Sequence, residues 1–396
     1  MILGAGPFQV PVIQKAVDLG LYVITMDYLP DNVGHRLSHQ YVNCSTTDRE
    51  GVARAAKELA VDGICSFGSC VATLTVSYVC NQLGLPGVSF SVAETMSMKH
   101  RFRTFLRELG FPYPEFVVLH SFDELGTSLR NLRFPVIFKP VDSSGSRGMT
   151  KIVTPDDDAE RAAFIHALRF SPSGMVCVEE FISGTEVGGD AIFVGGKLAF
   201  IAITHKRLDG LVVTGHSLPT NISVGDQRRV KATLERCCSA LVYSDGPLNF
   251  DVIVTPERIV ILEMSPRNGG NGIPEVIERA TGIDVQVAKL RIALGESAQL
   301  PDAGELCVRG VGSWIFGSDY GGVLKSIRGF EEIQADVPEV FQLFLALKPG
   351  CMVNRFDHGG NLLGYAVFDC ETQAIYNSIA TRIKHALRIE IDPQDS

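Results

Sequence analysis

The sequence predicts an α/β protein of several lobes, on three observations. Residues 1–95 alternate short apolar strands with helical runs, the pattern of βαβ units and of a parallel sheet with helices on both faces. Residues 135–200 read as a separate α+β unit in which a strand runs into a Ser/Gly-rich loop. Residues 301–396 read as a smaller α+β lobe. At 396 residues the chain is too long for one ordinary core, and roughly two to four domains are expected.

The first strand ends at Leu3 and passes into the turn Gly4-Ala5-Gly6-Pro7. A helix over 9–19 is closed by Gly20, and a strand over 21–27 follows. Short strands at 42–43 and 63–66 alternate with helices over 49–59 and 72–83. The GAGPFQ turn carries only the first two glycines of a dinucleotide fingerprint, because Gln9 stands where the third belongs. Asp27 lies at about the distance of a ribose-binding acid, yet no other stretch supplies hydride-transfer machinery. A helix over 96–109 buries Phe102, Phe105, Leu106 and Leu109 on one face and carries Lys99 and Arg103 on another. Lys99 is either a solvated lysine or a phosphate ligand at a domain junction.

In PVIFKPVDSSGSRGM at 135–149, Val136 and Phe138 share one strand face and Ile137 and Lys139 the other. Pro140 ends the strand, and Ser143, Ser144, Gly145, Ser146 and Gly148 follow. Such a loop can wrap phosphate oxygens with backbone N–H groups, and Lys139 adds an ammonium beside them. The alternative is a flexible hairpin tip with a solvated lysine. Then come a return strand at 151–153, a helix over 157–168 with acids in its first turn, and a strand over 175–182 ending in Glu179-Glu180-Phe181-Ile182. Ser183-Gly184 breaks it before Glu186, and Gly195-Gly196-Lys197 makes a tight turn. His205, Lys206 and Arg207 follow a strand over 199–203.

Strands over 248–254 and 259–263 form a hairpin. A three-residue loop at 256–258 sets Asp251 directly opposite Glu263. Two carboxylates that close repel each other, so a cation is expected between them, and Mg²⁺ suits hard oxygen ligands. The alternative is an edge hairpin with two solvated acids. In the loop that follows, Arg267 either holds an anion or lies in a mobile surface segment. Helices continue to 294. The last lobe contains strands at 323–327, 340–345, 351–357, 362–369 and 388–391 and a helix over 372–387, with packing and dimerisation as its readings.

Composition is 45% hydrophobic and 20% charged, and the net charge of −9 with no basic run argues against nucleic acid as a partner. No apolar run reaches the length of a membrane span, and the first nine residues do not read as a signal peptide. The ten cysteines make no CxxC pair and no zinc pattern, and read as buried reduced thiols of a cytoplasmic protein.

Taken in order, Lys99, Phe138-Lys139-Pro140, SSGSRGM at 143–149, EEFISGTE at 179–186, Asp251, and Glu263-x-Ser265-x-Arg267 with two following glycines resemble the ATP-grasp superfamily along nearly the whole chain. The resemblance implies an N-terminal half-Rossmann domain over 1–95 that binds no dinucleotide. It implies a central ATP-grasp domain over 96–134 and 201–300, a lid over 135–200, and a C-terminal α+β lobe over 301–396. ATP and Mg²⁺ (with Mn²⁺ as the alternative ion) are the implied cofactors. Lys99 and Lys139 would touch the phosphates, under a flap formed by Ser144, Gly145, Ser146 and Gly148. Glu179, Glu180, Phe181 and Ile182 would read adenine by backbone and one carboxylate, and Glu186 the ribose. Asp251 and Glu263 would hold the metal. Ser265 stands where many members place a metal-binding Asn and would reach the metal or its water more weakly through its hydroxyl, and Asn268 is the compensating candidate. Arg267 would steady an acyl phosphate, with Gly269, Gly270 and His216 beside the substrate.

GHSLP at 215–219 and PRNGG at 266–270 are similar to carboxylate–amine ligases related to carbamoyl-phosphate synthetase and to L-amino acid ligases. Asn249 stands where several amino acid ligases have His, so their substrates do not carry over. The implied reaction joins a small carboxylate to an amine, such as an amino acid or amino sugar, through an acyl phosphate. Lys139 and Arg267 would act on the reacting groups. His205 or His216 would take the amine's proton, each being otherwise a structural histidine. Carboxylation or formylation of an amine, and a non-catalytic ATP sensor, are the alternatives.

Overall fold

The computed structural model describes residues 1–129, 132–301 and 308–393. The N-terminal lobe is a parallel sheet of β1 (Ile2–Leu3), β2 (Ile24–Asp27), β3 (Gln40–Asn43) and β4 (Cys65–Ser66) in the order β3-β2-β1-β4. Helices α1 (Val10–Asp18) and α2 (Arg49–Glu58) connect strands of this sheet, and α3 (Cys70–Leu83) follows β4. The polar groups around the glycine turn after β1 find their partners within the lobe. Asp27 accepts from the Ala5 amide at 3.0 Å and the Leu29 amide at 3.1 Å. The Gln9 side chain donates to the Phe67 carbonyl at 2.6 Å.

The helix expected over 96–109 is α5 (Lys99–Glu108), which starts three residues later than expected and is preceded by a separate helix, α4 (Phe90–Ser97). Met98 breaks them with extended backbone at φ −103° and ψ 107°. Lys99 therefore opens a helix, and its amide donates to the Val141 carbonyl at 2.9 Å.

A four-stranded antiparallel sheet of β5 (Phe116–Leu119), β6 (Val136–Pro140), β7 (Thr150–Ile152) and β8 (Val176–Glu180) has the order β5-β8-β6-β7. The single turn α6 (Leu125–Ser128) and helix α7 (Asp157–Arg169) cover it, burying Leu125, Leu129, Phe164 and Ala167 against Val136, Phe138 and Val178. This lid differs from the sequence boundaries at both ends. It takes residues 116–119 from the stretch assigned to the central domain. Residues 185–200, assigned to the lid, instead open the central sheet.

That sheet has eight strands in the order β13-β12-β9-β10-β11-β14-β18-β16. They are β9 (Thr185–Val194), β10 (Lys197–Asp209), β11 (Val212–Leu218), β12 (Gly246–Val254), β13 (Ile259–Ser265), β14 (Val311–Gly317), β16 (Val340–Leu345) and β18 (Leu362–Asp369). Helices α4, α5 and α8 (Val224–Ala240) pack apolar side chains on one face. Helices α9 (Ile273–Thr281) and α10 (Val285–Ala293) pack on the other. The C-terminal lobe shares this sheet and adds β15 (Gly322–Arg328), β17 (Met352–Val353) and β19 (Arg388–Pro393) in a three-stranded sheet. Helices α11 (Phe330–Asp336) and α12 (Gln373–Ala386) complete the lobe. The strand expected over 351–357 shrinks to the two residues of β17.

The nine described cysteines are all free, and Cys307 lies outside the described residues. Among the described residues no helix is long and apolar enough to cross a membrane.

Gly215 explains the start of the GHSLP string. It pairs with Trp314 where β11 meets β14, and a Cβ there would lie 2.2 Å from the Ser313 carbonyl oxygen and 2.3 Å from the Tyr376 hydroxyl. That hydroxyl donates to the Ser313 carbonyl at 2.7 Å. Gly215→Ala is expected to cost about 1–3 kcal/mol by overpacking, read from urea unfolding. Unchanged stability would contradict this tight junction.

Candidate active site

One cleft between the lid and the central sheet gathers most of the sequence candidates. Lys99, Lys139, Ser144, Gly145, Ser146, Glu179, Glu180, Phe181, Ile182, Glu186, His216, Asp251, Glu263, Arg267 and Gly270 all line it. His205, Gly148, Ser265 and Gly269 are not among its lining residues.

The floor is set by a buried ion cluster. Lys139 on β6 and Glu179 on β8 sit on neighbouring lid strands, with Nζ and Oε2 2.5 Å apart. Arg103 of α5 reaches the same carboxylate, with Nε 3.0 Å from Oε1 and Nη2 3.3 Å from Oε2. Burial pushes the Glu179 carboxyl up, but Arg103 and Lys139 outweigh it and hold it down at about 2. Burial draws the Lys139 ammonium below the usual lysine value despite Glu179, with Arg103 and Lys99 adding to the drop. The Glu179 carboxylate is thus shared between two cations. Glu180 is partly committed too, since its Oε1 accepts from the Arg133 amide at 2.9 Å.

The acid pair lies on the adjoining hairpin, and Asp251 of β12 pairs with Glu263 of β13. The route to that register differs from the sequence reading. Val254 pairs with Ile259, so the loop holds four residues rather than three. A bulge at Leu262 then restores the facing of the two acids. The carbonyl of Leu262 accepts from Arg103 Nη2 at 2.7 Å, which ties the bulge to the ion cluster.

The cation beside Asp251 is Lys206. Its Nζ lies 3.0 Å from Asp251 Oδ2 and 2.6 Å from Glu186 Oε1. Burial opposes its charge, but Asp251 and Glu186 hold the ammonium above the ordinary lysine value. Burial raises the Asp251 carboxyl, and Glu186 and Glu263 add to the rise against Lys206. Glu186, expected on a ribose, is therefore partly neutralised by Lys206. Lys206 was missed because β10 runs six residues past the expected end at Ile203. That extension makes Lys206 an inward strand position and turns the neighbouring His205 to the other side.

The two histidines diverge. His216 lines the cleft, its Nδ1 3.0 Å from Thr204 Oγ1, and burial first, then Lys206, push its imidazole down to about 3. It is neutral at ordinary pH. Burial likewise lowers His205, which is hydrogen-bonded to the Asn221 side chain.

Asp190, also unmarked in the sequence, anchors the loop after β13. It is fully buried and accepts from the Gly269 amide at 2.8 and 3.0 Å, Asn249 Nδ2 at 3.1 Å and Asn268 Nδ2 at 3.3 Å. Burial pushes its carboxyl up to about 6 against those bonds. The Gly269 amide and Asn268 Nδ2 consequently anchor the loop to Asp190, while Asn268 Oδ1 is buried without a hydrogen-bond partner among the described residues. Ser265 pairs with Asn249 and is buried. Arg267 is held by the Asn268 carbonyl at 2.7 Å and by Cys70 Sγ at 2.9 and 3.1 Å. Cys70 opens α3, so the N-terminal lobe positions this arginine. No CxxC or zinc spacing marked that thiol.

The flap is fastened on three sides. The Ser143 carbonyl accepts from Lys99 Nζ, the Gly145 carbonyl from the Gly359 amide at 2.9 Å, and Ser146 Oγ donates to the Leu211 carbonyl at 2.8 Å. Gly145, Ser146 and Gly148 have φ of 68°, 62° and 68°. Gly148 turns inward, where a Cβ would meet the Phe170 ring at 3.0 Å, so it shapes the flap without facing the cleft.

Asp251 and Glu263 fit Mg²⁺, which ordinarily takes one or two carboxylates and completes its shell with water and substrate phosphates. Among the described residues no group of three or more His, Cys, Asp or Glu forms a self-sufficient metal cage.

Glu179 titrates with a depressed folded-state value, so its contribution to stability is complete above its ordinary value of 4.5 and is lost as pH falls toward about 2. Between pH 5 and pH 3 the wild type is expected to lose about 2 kcal/mol more than Glu179→Gln. Urea unfolding at stepped pH measures this, and parallel slopes would contradict the cluster's charge state.

Residues 132–275 match the family model of the ATP-grasp domain. The chain is 25% identical over 349 residues to the uncharacterized protein y4rH of Sinorhizobium fredii, covering 86% of this chain and 70% of that one. It is 24% identical over 334 residues to carnosine synthase 1 of Mus musculus, covering 76% of this chain and 40% of the mouse protein. The chain thus spans well under half of that relative's length. The solved structure of an L-amino acid ligase from Bacillus licheniformis shares the fold with a TM-score of 0.83, at 20% identity, over 99% of this chain and 98% of that chain. Residues 132–275 thus match an ATP-grasp domain, and the chain has the ATP-grasp fold along its length.

Proposed function

We propose that the chain is an ATP-dependent ligase that joins a carboxylate to an amine. The observation that carries this is the convergence of Lys99, Lys139, Asp251, Glu263 and Arg267 in one cleft under the Ser/Gly flap. The likeness to a carnosine synthase and to the fold of an L-amino acid ligase supports it. A carboxylate oxygen of the acid attacks the γ-phosphorus of ATP, and ADP leaves. The amine nitrogen then attacks the acyl carbon, phosphate leaves, and the amine proton passes to solvent. The protein's work is placement and charge neutralisation, as in phosphoryl transfer generally.

Each residue has a part in that placement. Lys139, fixed by Glu179, and Lys99 lay two ammonium groups along the phosphates. The flap amides close over them and exclude water. Ile182 and the backbone around Phe181 bound the base end. Arg267, held by Cys70 and the Asn268 carbonyl, aligns the carboxylate and stabilises charge on the acyl phosphate. Asp251 and Glu263 would hold Mg²⁺, which when bound neutralises charge on the phosphate oxygens. Neutral His216 stands close to the reacting end as a hydrogen-bond partner.

Glu263→Ala is expected to lower ADP release at least about 100-fold while the protein keeps its circular dichroism spectrum and melting transition. ADP release at the wild-type rate by the folded variant would overturn the reading.

A further inference from the structure

A second cavity of about 470 Å³ opens beyond Arg267, within the usual size range of ligand pockets. Ser144, Gly145, Arg267, Gly270 and Asn271 line both spaces, so a molecule in this cavity lies beside the phosphate end of the cleft. Among the described residues lining it, Arg147 and Arg267 carry charge, and none is Asp, Glu, Lys or His. Arg267 is already oriented by Cys70 and the Asn268 carbonyl. Arg147 rides on the flap, exposed, and makes no hydrogen bond or ion pair among the described residues. Phe8, Leu347 and Leu362 supply an apolar wall.

Two guanidinium groups facing a space without a carboxylate attract anions and repel an ammonium. We propose that this cavity holds the acyl donor and that the donor is an acid with a second anionic group. One carboxylate lies on Arg267 and reacts. The other anionic group pairs with Arg147, and the carbon chain between them lies on the apolar wall. A free amino acid is disfavoured as donor, because its ammonium has no carboxylate to meet there. This inference rests on the ligase reading of the adjoining cleft.

Hydroxylamine can replace the amine in the test. Its nitrogen attacks the acyl phosphate, phosphate leaves, a proton passes to solvent, and a hydroxamate forms. With MgATP and hydroxylamine, ADP and hydroxamate are measured for succinate, glutarate and adipate. Butyrate, valerate and hexanoate are the matched mono-acids, and β-alanine, γ-aminobutyrate and alanine the amino acids. At least one diacid is expected to exceed its mono-acid and every amino acid about tenfold or more in kcat/KM. Arg147→Gln, a change at an exposed flap position, should erase that advantage, chiefly through the KM of the acid. Faster turnover of mono-acids or amino acids, or an unchanged ratio in Arg147→Gln, overturns the proposal.

Calorimetric titration of the same diacids into the MgADP-bound protein separates the two readings. Binding that needs Arg147 but yields no ADP sinks the ligase and keeps the cavity's specificity. ADP release with amino acids alone keeps the ligase and sinks the specificity. Neither binding nor turnover of any diacid sinks the specificity as well.

Discussion

The cleft depends on one buried carboxylate, Glu179, shared between Arg103 and Lys139. Burying three charges is costly, and such clusters seldom add net stability over an apolar core. What this one fixes is position. Lys139 is held on a lid strand with almost no solvent contact. Arg103 is wholly buried and extends from the same carboxylate to the carbonyl of the bulged Leu262. That bulge is what sets Glu263 across from Asp251. A helix of the central domain, two lid strands and the hairpin carrying the acids are thereby joined through a single anion.

Around that anchor the cleft mixes charges of both signs. Lys99, Lys139 and Arg267 line the cleft together with Glu186, Asp251 and Glu263. Lys206 sits between Asp251 and Glu186 and relieves part of the repulsion among the acids. Glu263 has no such cation among the described ion pairs, which leaves Asp251 and Glu263 short of positive charge where the phosphates of a nucleotide would bring a metal. The neighbouring cavity has the opposite character, with two arginines and no acid. These side chains divide the region into a cleft of mixed charge and a neighbouring cavity whose charged lining is cationic.

Much of this was legible in the sequence, for identifiable reasons. The parallel N-terminal sheet follows from strand–helix alternation, and its three longer helices begin within two residues of their expected starts. Lys139, the flap and the acid pair carry local signals, a strand leading into Ser and Gly and acids set in apolar strands. What escaped depends on contacts between residues far apart in sequence. Arg103, Asp190 and Cys70 act on partners 76, 79 and 197 positions away. Lys206 escaped because a strand was ended too soon, and the Leu262 bulge because no periodicity marks a single inserted residue. The lid boundary moved because β5 joins a sheet with strands from much later in the chain.

The central claim is that the acid pair exists to meet a metal-bound triphosphate. Calorimetric titration of a non-hydrolysable ATP analogue, with Mg²⁺ and again in EDTA, tests this most directly. The account predicts binding at least about tenfold tighter with Mg²⁺, and loss of that gain when Asp251 and Glu263 are both made amides. Equal affinity with and without the metal in the unaltered protein would contradict it.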